Sequence, residues 1–203
     1  SVMAKKLFPE QANCISMALT PMTLTARLIK HHQPGAKVAF IGPCAAKKLE
    51  AMRRTVRSEV DFVLTFEEMA GIFEARHIDV NTLKEDPHGV NDASADGRNF
   101  AVSGGVAQAV VNVIKEKYPD REIKVANAEG LSECRKLMMM AKAGKYNGYL
   151  LEGMACPGGC VAGAGTMQSI KKSSVAVNMY AKQAEHQVAT GTHHVAELDK
   201  LVD

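Results

Sequence analysis

The chain has 203 residues, 46% of them hydrophobic and 23% charged, enough apolar content for a packed core and the wrong composition for a disordered tail. Lys and Arg number 25 against 22 Asp and Glu, a net +3 spread along the chain, which excludes a nucleic-acid protein that works by bulk positive field. No apolar run approaches the roughly 18–20 residues of a membrane helix, no secretory leader opens the chain, and five cysteines are too sparse, and odd in number, for a disulfide scaffold.

At roughly 150 residues per domain, this length suits one large domain or two small lobes, and the composition reads as a soluble, cytoplasmic α/β protein. Ser1-Val2-Met3-Ala4 is not a natural start, so a preceding segment is expected. Thr20-Pro21 reads as an N-cap with proline at the first helical position, opening a helix through Lys30, and His31-His32 suit its C-terminus, where cations offset the dipole. Lys37 to Ile41 and Asp61 to Leu64 read as buried strands. Thr65 and Glu68 have capping-box spacing, with Met69, Ile72 and Phe73 on one face of the helix that follows. Lys84 to Asn99, rich in Asp, Gly, Pro and Asn, reads as a long surface loop or a lobe boundary.

Phe100-Ala101-Val102 is predicted as a strand, and Ser103-Gly104-Gly105-Val106 as a tight strand-to-helix turn that lacks the full phosphate-binding fingerprint. Val106, Val110, Val113 and Ile114 mark one helix; Leu131, Cys134, Met138 and Ala141 mark another, with Met138 to Met140 filling core. Glu122 to Val125 and Tyr149 to Leu151 complete the strands. A last helix is expected from about Ser169 to Gln187, then a polar tail, Thr190 to Asp203, in which His193-His194 are solvated rather than ligating. Strands alternating with helices predict an α/β fold of parallel βαβ sheets flanked by helices, which hold ligands at the carboxyl ends of their strands. No internal repeat or low-complexity tract is visible.

Two segments do not read as scaffold. Ile41-Gly42-Pro43-Cys44-Ala45-Ala46-Lys47-Lys48 leaves a strand and enters a helix, a place where the local dipole favours a thiolate, with Lys47 adding a cation one turn on. Glu152 to Gly165 also follows a strand and carries Cys156 and Cys160 among five glycines. Such a run lets backbone approach a bulky group, and it can turn both sulfurs toward one point, the convergence that iron and zinc thiolate sites need. Cys134, on an apolar helix face, and Cys14, without ligand-like neighbours, read as structural. No Ser/His/Asp arrangement or paired-carboxylate signature emerges.

Together the two segments resemble the second and third signature motifs of the [FeFe]-hydrogenase catalytic domain. Pro43-Cys44-Ala45-Ala46-Lys47-Lys48-Leu49-Glu50 fits Met-Pro-Cys-x-x-Lys-x-x-Glu, with Gly42 in place of the methionine. Glu152 to Gly165 fits Glu-x-Met-Ala-Cys-x-Gly-Gly-Cys-x-x-Gly-Gly-Gly with Ala164 for one glycine, and it leads into Thr166-Met167 rather than Gln-Pro. The chain between, notably Phe100 to Val106 and Glu129-Gly130-Leu131, is similar to the same family.

The resemblance implies a catalytic-domain portion, spanning 1–203 in two lobes, of an enzyme for reversible heterolytic oxidation of H2 and reduction of protons in anaerobic metabolism. It implies a [4Fe–4S] cubane linked to a two-iron subsite bearing CO and cyanide, together the H-cluster. Cys44 and Cys156 would bind the cubane and Cys160 would bridge the two clusters. Lys47 would hydrogen-bond an iron-bound cyanide and Met154 would pack against the two-iron unit. Implied partners are a ferredoxin or an N-terminal iron–sulfur domain, together with cluster-maturation proteins; nucleic acid and a membrane span are not expected. The family's first motif, Thr-Ser-Cys-Cys-Pro, is expected just before Ser1, so the residues given hold three of four cubane ligands and are expected to be inactive alone. The departures resemble a divergent, sensory branch. Two alternatives stand beside this reading: a non-enzymatic hydrogenase-like iron–sulfur protein of cluster assembly or electron transfer, and a plain zinc–thiolate site. An inward-pointing Lys47 favours the enzyme, since without cyanide it has little reason to turn inward.

Overall fold

A computed structural model describes residues 2–84, 86 and 92–198. In chain order its helices and strands are α1 (Val2–Leu7), α2 (Pro21–His32), β1 (Ala39–Gly42), α3 (Ala46–Met52), β2 (Phe62–Thr65), α4 (Phe66–Ala75), α5 (Ala95–Asn99) and α6 (Gly105–Lys117), followed by β3 (Lys124–Glu129), α7 (Leu131–Lys142), β4 (Tyr149–Met154), α8 (Ile170–Lys182) and α9 (Val195–Leu198). These form two units. One comprises 1–18, 93–162 and 170–192; the other comprises 19–92, 163–169 and 193–203. One passage between them, at Asp92 to Ala93, falls inside the segment read as a loop or boundary. Of that segment, 85 and 87–91 lie outside the described residues, as do 199–203 of the tail.

Each unit is built on one parallel strand pair with a helix in the crossover, as short β-branched runs alternating with amphipathic helices require. In the second unit β1 pairs with β2 from Ala39↔Phe62 to Gly42↔Thr65, connected through α3. In the first, β3 pairs with β4 from Lys124↔Tyr149 to Glu129↔Met154, connected through α7. The fold class is therefore α/β with short parallel sheets. Two-stranded sheets leave open faces, so β1 and β2 are not the buried strands expected: Ile41 and Phe62 are exposed. The core of the first unit gathers Ala128, Cys134 and Leu137 under β3 and β4, with Met3, Tyr146 and Leu151 packed on it.

The predicted strand at Phe100 to Val102 is absent. These three residues wind into turns: the Val102 N–H donates to the Asn99 carbonyl at 3.0 Å and the Gly105 N–H to that of Val102 at 3.1 Å. A run of three apolar residues between Arg98-Asn99 and Ser103-Gly104-Gly105 has no partner strand among the described residues, and its backbone serves the cysteine loop instead. Helix α5 lies in the segment expected as loop; its loop-like composition hides a Ser94 cap, whose hydroxyl accepts from the Gly97 N–H at 3.1 Å. Helix α8 stops at Lys182, five residues short of expectation, because the carbonyls of His186 and Gln187 accept from the Ala95 and Asp96 N–H groups. The Thr65/Glu68 capping box is formed reciprocally, at 3.2 and 2.8 Å.

Asp61 fixes the entry of the β1–β2 pair. Its carboxylate accepts from the Val38 N–H at 2.8 Å and pairs with Lys30 at 2.9 Å and Lys37 at 3.2 Å. The amide bond first, then Lys30, holds its carboxyl far below the ordinary value of 3.8. A depressed carboxyl adds stability above its unfolded value, and that stability is lost as pH falls toward its folded value. Asp61→Asn is therefore expected to lower the melting temperature at neutral pH. It should also flatten the loss of stability between about pH 5 and about pH 3 relative to wild type, as read by thermal denaturation across that range.

Candidate metal centre

The loop that carries Cys156 and Cys160 begins at the carboxyl end of β4. The carbonyl of Met154, the last strand residue, accepts from the Gly130 N–H at 2.8 Å and from the Cys134 thiol at 3.5 Å. A β-carbon at Gly153 would stand 3.1 Å from the Cys134 sulfur, so this thiol fills the space under the strand end. Burial pushes the Cys134 thiol up in pKa, the opposite of what a ligand needs. Its structural assignment fits that setting.

Beyond Met154 the chain turns tightly. The Gly159 N–H donates to the Cys156 carbonyl at 3.0 Å, and Gly158 and Gly159 adopt φ of +92° and +94°. The loop is then laced to the turn that replaced the predicted strand: the Ser103 N–H donates to the Gly158 carbonyl at 3.1 Å and the Val161 N–H to the Ala101 carbonyl at 3.0 Å. A β-carbon on Gly159 would lie 2.6 Å from the Ser103 nitrogen and 2.8 Å from the Ala101 oxygen, so sterics and φ together demand glycine there. On its other side the loop meets Glu129, whose carboxylate accepts from the Gly158 N–H at 2.8 Å.

The turn itself is held by Glu152. This side chain, 8% exposed, accepts from the Gly104 N–H at 3.1 Å and the Ala107 N–H at 3.0 Å. Gly104 is the N-cap of α6 and provides no side-chain cap, so a carboxylate from β4 satisfies the orphan amides and the helix dipole from outside. Ser103 to Val106 is thus a turn-to-helix junction capped in trans rather than a strand-to-helix packing turn. In the sequence Glu152 is one letter of the motif with no role of its own, and Glu129 stands out only within the family resemblance. The signal for Glu152 was an acidic residue in an otherwise apolar strand.

In the other unit Cys44 lies half-buried two residues past β1, and its carbonyl accepts from the Lys47 N–H at 3.2 Å as α3 begins. The neighbouring Pro43 carbonyl accepts from the Gly165 N–H at 2.9 Å, so the glycine-rich end of the third motif docks against the second. Gly165 also crowds Thr65, to which a β-carbon would come within 2.4 Å. At Gly42, where the family has methionine, a β-carbon would meet the Phe40 ring at 2.8 Å, so a larger residue there requires that ring to move.

Lys47 has a protein partner. Its ammonium pairs with Glu50 at 2.7 Å, and Glu50 accepts in turn from the hydroxyls of Thr20 and Thr23. Burial favours a raised Glu50 carboxyl, but the hydrogen bonds from Lys47, Thr20 and Thr23 outweigh it and the net pKa is lowered. Without cyanide Lys47 is expected to have little reason to turn inward; Glu50 is a protein partner that gives it one.

Cys156 and Cys160 therefore share one loop in one unit, with Met154 half-buried at its root, while Cys44 and Lys47 belong to the other. None of the five cysteines is joined in a disulfide. Cys14 is exposed. Two soft donors on a short loop held from both sides, with glycines where side chains would crowd it, are a donor set that fits part of an iron–sulfur site. Among the described residues, three His, Asp, Glu or Cys donors converge only at Asp92, His193 and His194, all exposed, with donor atoms within 4.8 Å of one another. His193 and His194 thus lie at the surface, as their sequence suggested. No helix of the described residues is long and apolar enough to cross a membrane.

The α/β frame sets two cysteines in a loop at a strand's carboxyl end, and similarity to known proteins gives the family. Residues 1–164 match the model of the iron only hydrogenase large subunit, C-terminal domain, and the chain belongs to that family. The periplasmic [Fe] hydrogenase large subunit of Nitratidesulfovibrio vulgaris is 29% identical over 205 residues, covering 80% of this chain and 48% of that protein. The nuclear prelamin A recognition factor of Xenopus laevis is 24% identical over 200 residues, covering 77% of this chain and 44% of that protein. The chain spans about half the length of the curated relatives it matches. Among solved structures, an apo [FeFe]-hydrogenase from Chlamydomonas reinhardtii superposes with a TM-score of 0.74 at 21% identity, over 98% of this chain and 68% of that one, a likeness of fold.

Two substitutions test the loop's support. Glu152→Ala leaves two amides of α6 without their acceptor and is expected to cost about 2–3 kcal/mol of unfolding free energy. Gly159→Ala is expected to cost at least about 2 kcal/mol through clash and strained φ. Both are read by denaturant unfolding.

Proposed function

We propose that the chain is the cysteine-bearing part of an iron-only hydrogenase catalytic domain, acting in H2 metabolism within a longer protein. The observation that carries this reading is the Cys156–Cys160 loop, clamped by Glu129 and by the Ala101–Ser103 turn in a chain of this family. When bound, the H-cluster supplies the reversible interconversion of H2 with protons and electrons.

This chain's residues would do the rest. Cys44 and Cys156 would bind the cubane, and Cys160 would bridge to the two-iron subsite. Met154 would pack against that subsite from the root of the loop. Lys47 would present a hydrogen-bond donor to an anionic iron ligand, and its ion pair with Glu50 limits where the ammonium can stand. Electrons would pass to a ferredoxin-type partner or an N-terminal iron–sulfur domain, and maturation proteins would install the two-iron unit. A cytoplasmic location is part of the proposal and rests on the sparse, odd set of five cysteines in the sequence. A sensory rather than high-turnover role is supported by Gly42, Ala164 and Thr166-Met167.

The second reading, a hydrogenase-like iron–sulfur protein without the two-iron unit, is favoured by one observation. Lys47 already has Glu50, so its presence no longer demands cyanide. Infrared spectroscopy of the full-length protein after anaerobic maturation separates the two. Bands of iron-bound CO and cyanide are expected in wild type and lost in Cys160→Ser. Iron without those bands supports the second reading, and stoichiometric zinc without iron contradicts both.

A further inference from the structure

Glu129 is the last residue of β3 and stands in register with Met154, the last of β4. It is followed by Gly130, whose N–H holds the Met154 carbonyl at 2.8 Å, while the Glu129 carboxylate itself takes the Gly158 N–H at 2.8 Å. Two successive residues at the end of one strand thus grip the neighbouring chain at both feet of the segment that presents Cys156. The Gly158 amide needs that acceptor from outside. Within the loop the Cys156 carbonyl is taken by Gly159 and the Gly159 carbonyl by Ala162. The Gly158 carbonyl faces the other way and is taken by Ser103, so the peptide units on either side of this glycine are anchored to different elements. An acceptor that is also an anion makes the stronger bond, and it leaves a formal negative charge against the loop.

We propose that Glu129 is a positioning residue for the Cys156–Cys160 loop and that its charge lowers the reduction potential of the iron–sulfur group those thiolates hold. The positioning part concerns the loop alone; the part about potential rests on the function proposed above. Both follow from one contact. A neutral acceptor of the same shape keeps the hydrogen bond and removes the charge, and a methyl group removes both. Adding an electron to a cluster beside a fixed negative charge is disfavoured by like-charge repulsion, so removing the charge moves the potential up.

The test uses the full-length protein as wild type, Glu129→Gln and Glu129→Ala. Hydrogen exchange of a peptide covering 155–161, read by mass spectrometry on the metal-free protein, reports the grip. Exchange in Glu129→Ala is expected to be at least about threefold faster than wild type, and in Glu129→Gln close to wild type. After anaerobic reconstitution, Glu129→Ala is expected to hold less iron and sulfide per chain. Glu129→Gln is expected to hold the wild-type amount with a midpoint potential shifted upward in an EPR-monitored titration. Equal exchange in all three proteins overturns the positioning role, and equal potentials in wild type and Glu129→Gln overturn the role of the charge. Wild-type protein that takes up no iron overturns the metal reading, and the charge role with it, while the exchange rates still decide the positioning role.

Discussion

The first unit depends on a closed circuit of backbone and carboxylate hydrogen bonds around its cysteine loop. Glu152 of β4 caps α6, α6 begins where the Ala101–Ser103 turn ends, that turn is bonded to Gly158 and Val161, and Gly158 returns to Glu129 of β3. The parallel pairing of β3 with β4 closes the ring. Each bond is modest by itself, but a loop with two residues at positive φ has little conformational preference of its own, and so its shape is imposed by its neighbours. Two of the links end on carboxylates, whose bonds to amides are stronger than those between neutral groups. The outcome is a pair of thiols presented on backbone that has few other places to go.

A second network organises the other unit around Lys47. The chain reaches Cys44 from the open end of a two-stranded sheet and turns into α3, a helix of only seven residues. Glu50, on that helix, gathers Lys47, Thr20 and Thr23, and thereby ties α3 to the start of α2. Thr20 stands at the expected N-cap position with Pro21 after it, but its hydroxyl serves Glu50 rather than the α2 amides. The ammonium that a ligand-based argument treats as waiting for an anion is thus already neutralised within the protein. An anionic ligand at this site would have to share Lys47 with Glu50.

Much of this was legible in the residues. Four of five strands, the parallel pairing, the capping box at Thr65 and the structural character of Cys134 all follow from periodicity and local chemistry, which act over a few residues. What was not legible depends on partners distant in sequence. Phe100 to Val102 has the composition of a strand, but no strand among the described residues offers it a ladder, and the cysteine loop takes backbone hydrogen bonds with it instead. Helix α8 ends where its following carbonyls find α5. Glu152 reads as one letter of a motif until its two amide partners, 45 and 48 residues away, are seen. The spacing of Lys47 and Glu50 suits an ion pair on a helix, but the two threonines that hold Glu50 come from 27 and 30 residues upstream. The motifs announce which atoms matter, and the tertiary contacts determine what holds them.

We propose that the sulfurs of residues 44, 156 and 160 serve a single iron–sulfur group. This is tested most directly by a crystal structure of the full-length protein purified without oxygen, with anomalous scattering collected at the iron edge. Iron at bonding distance from all three sulfurs is the expected result. Iron bound elsewhere, or another metal held by these cysteines, contradicts it.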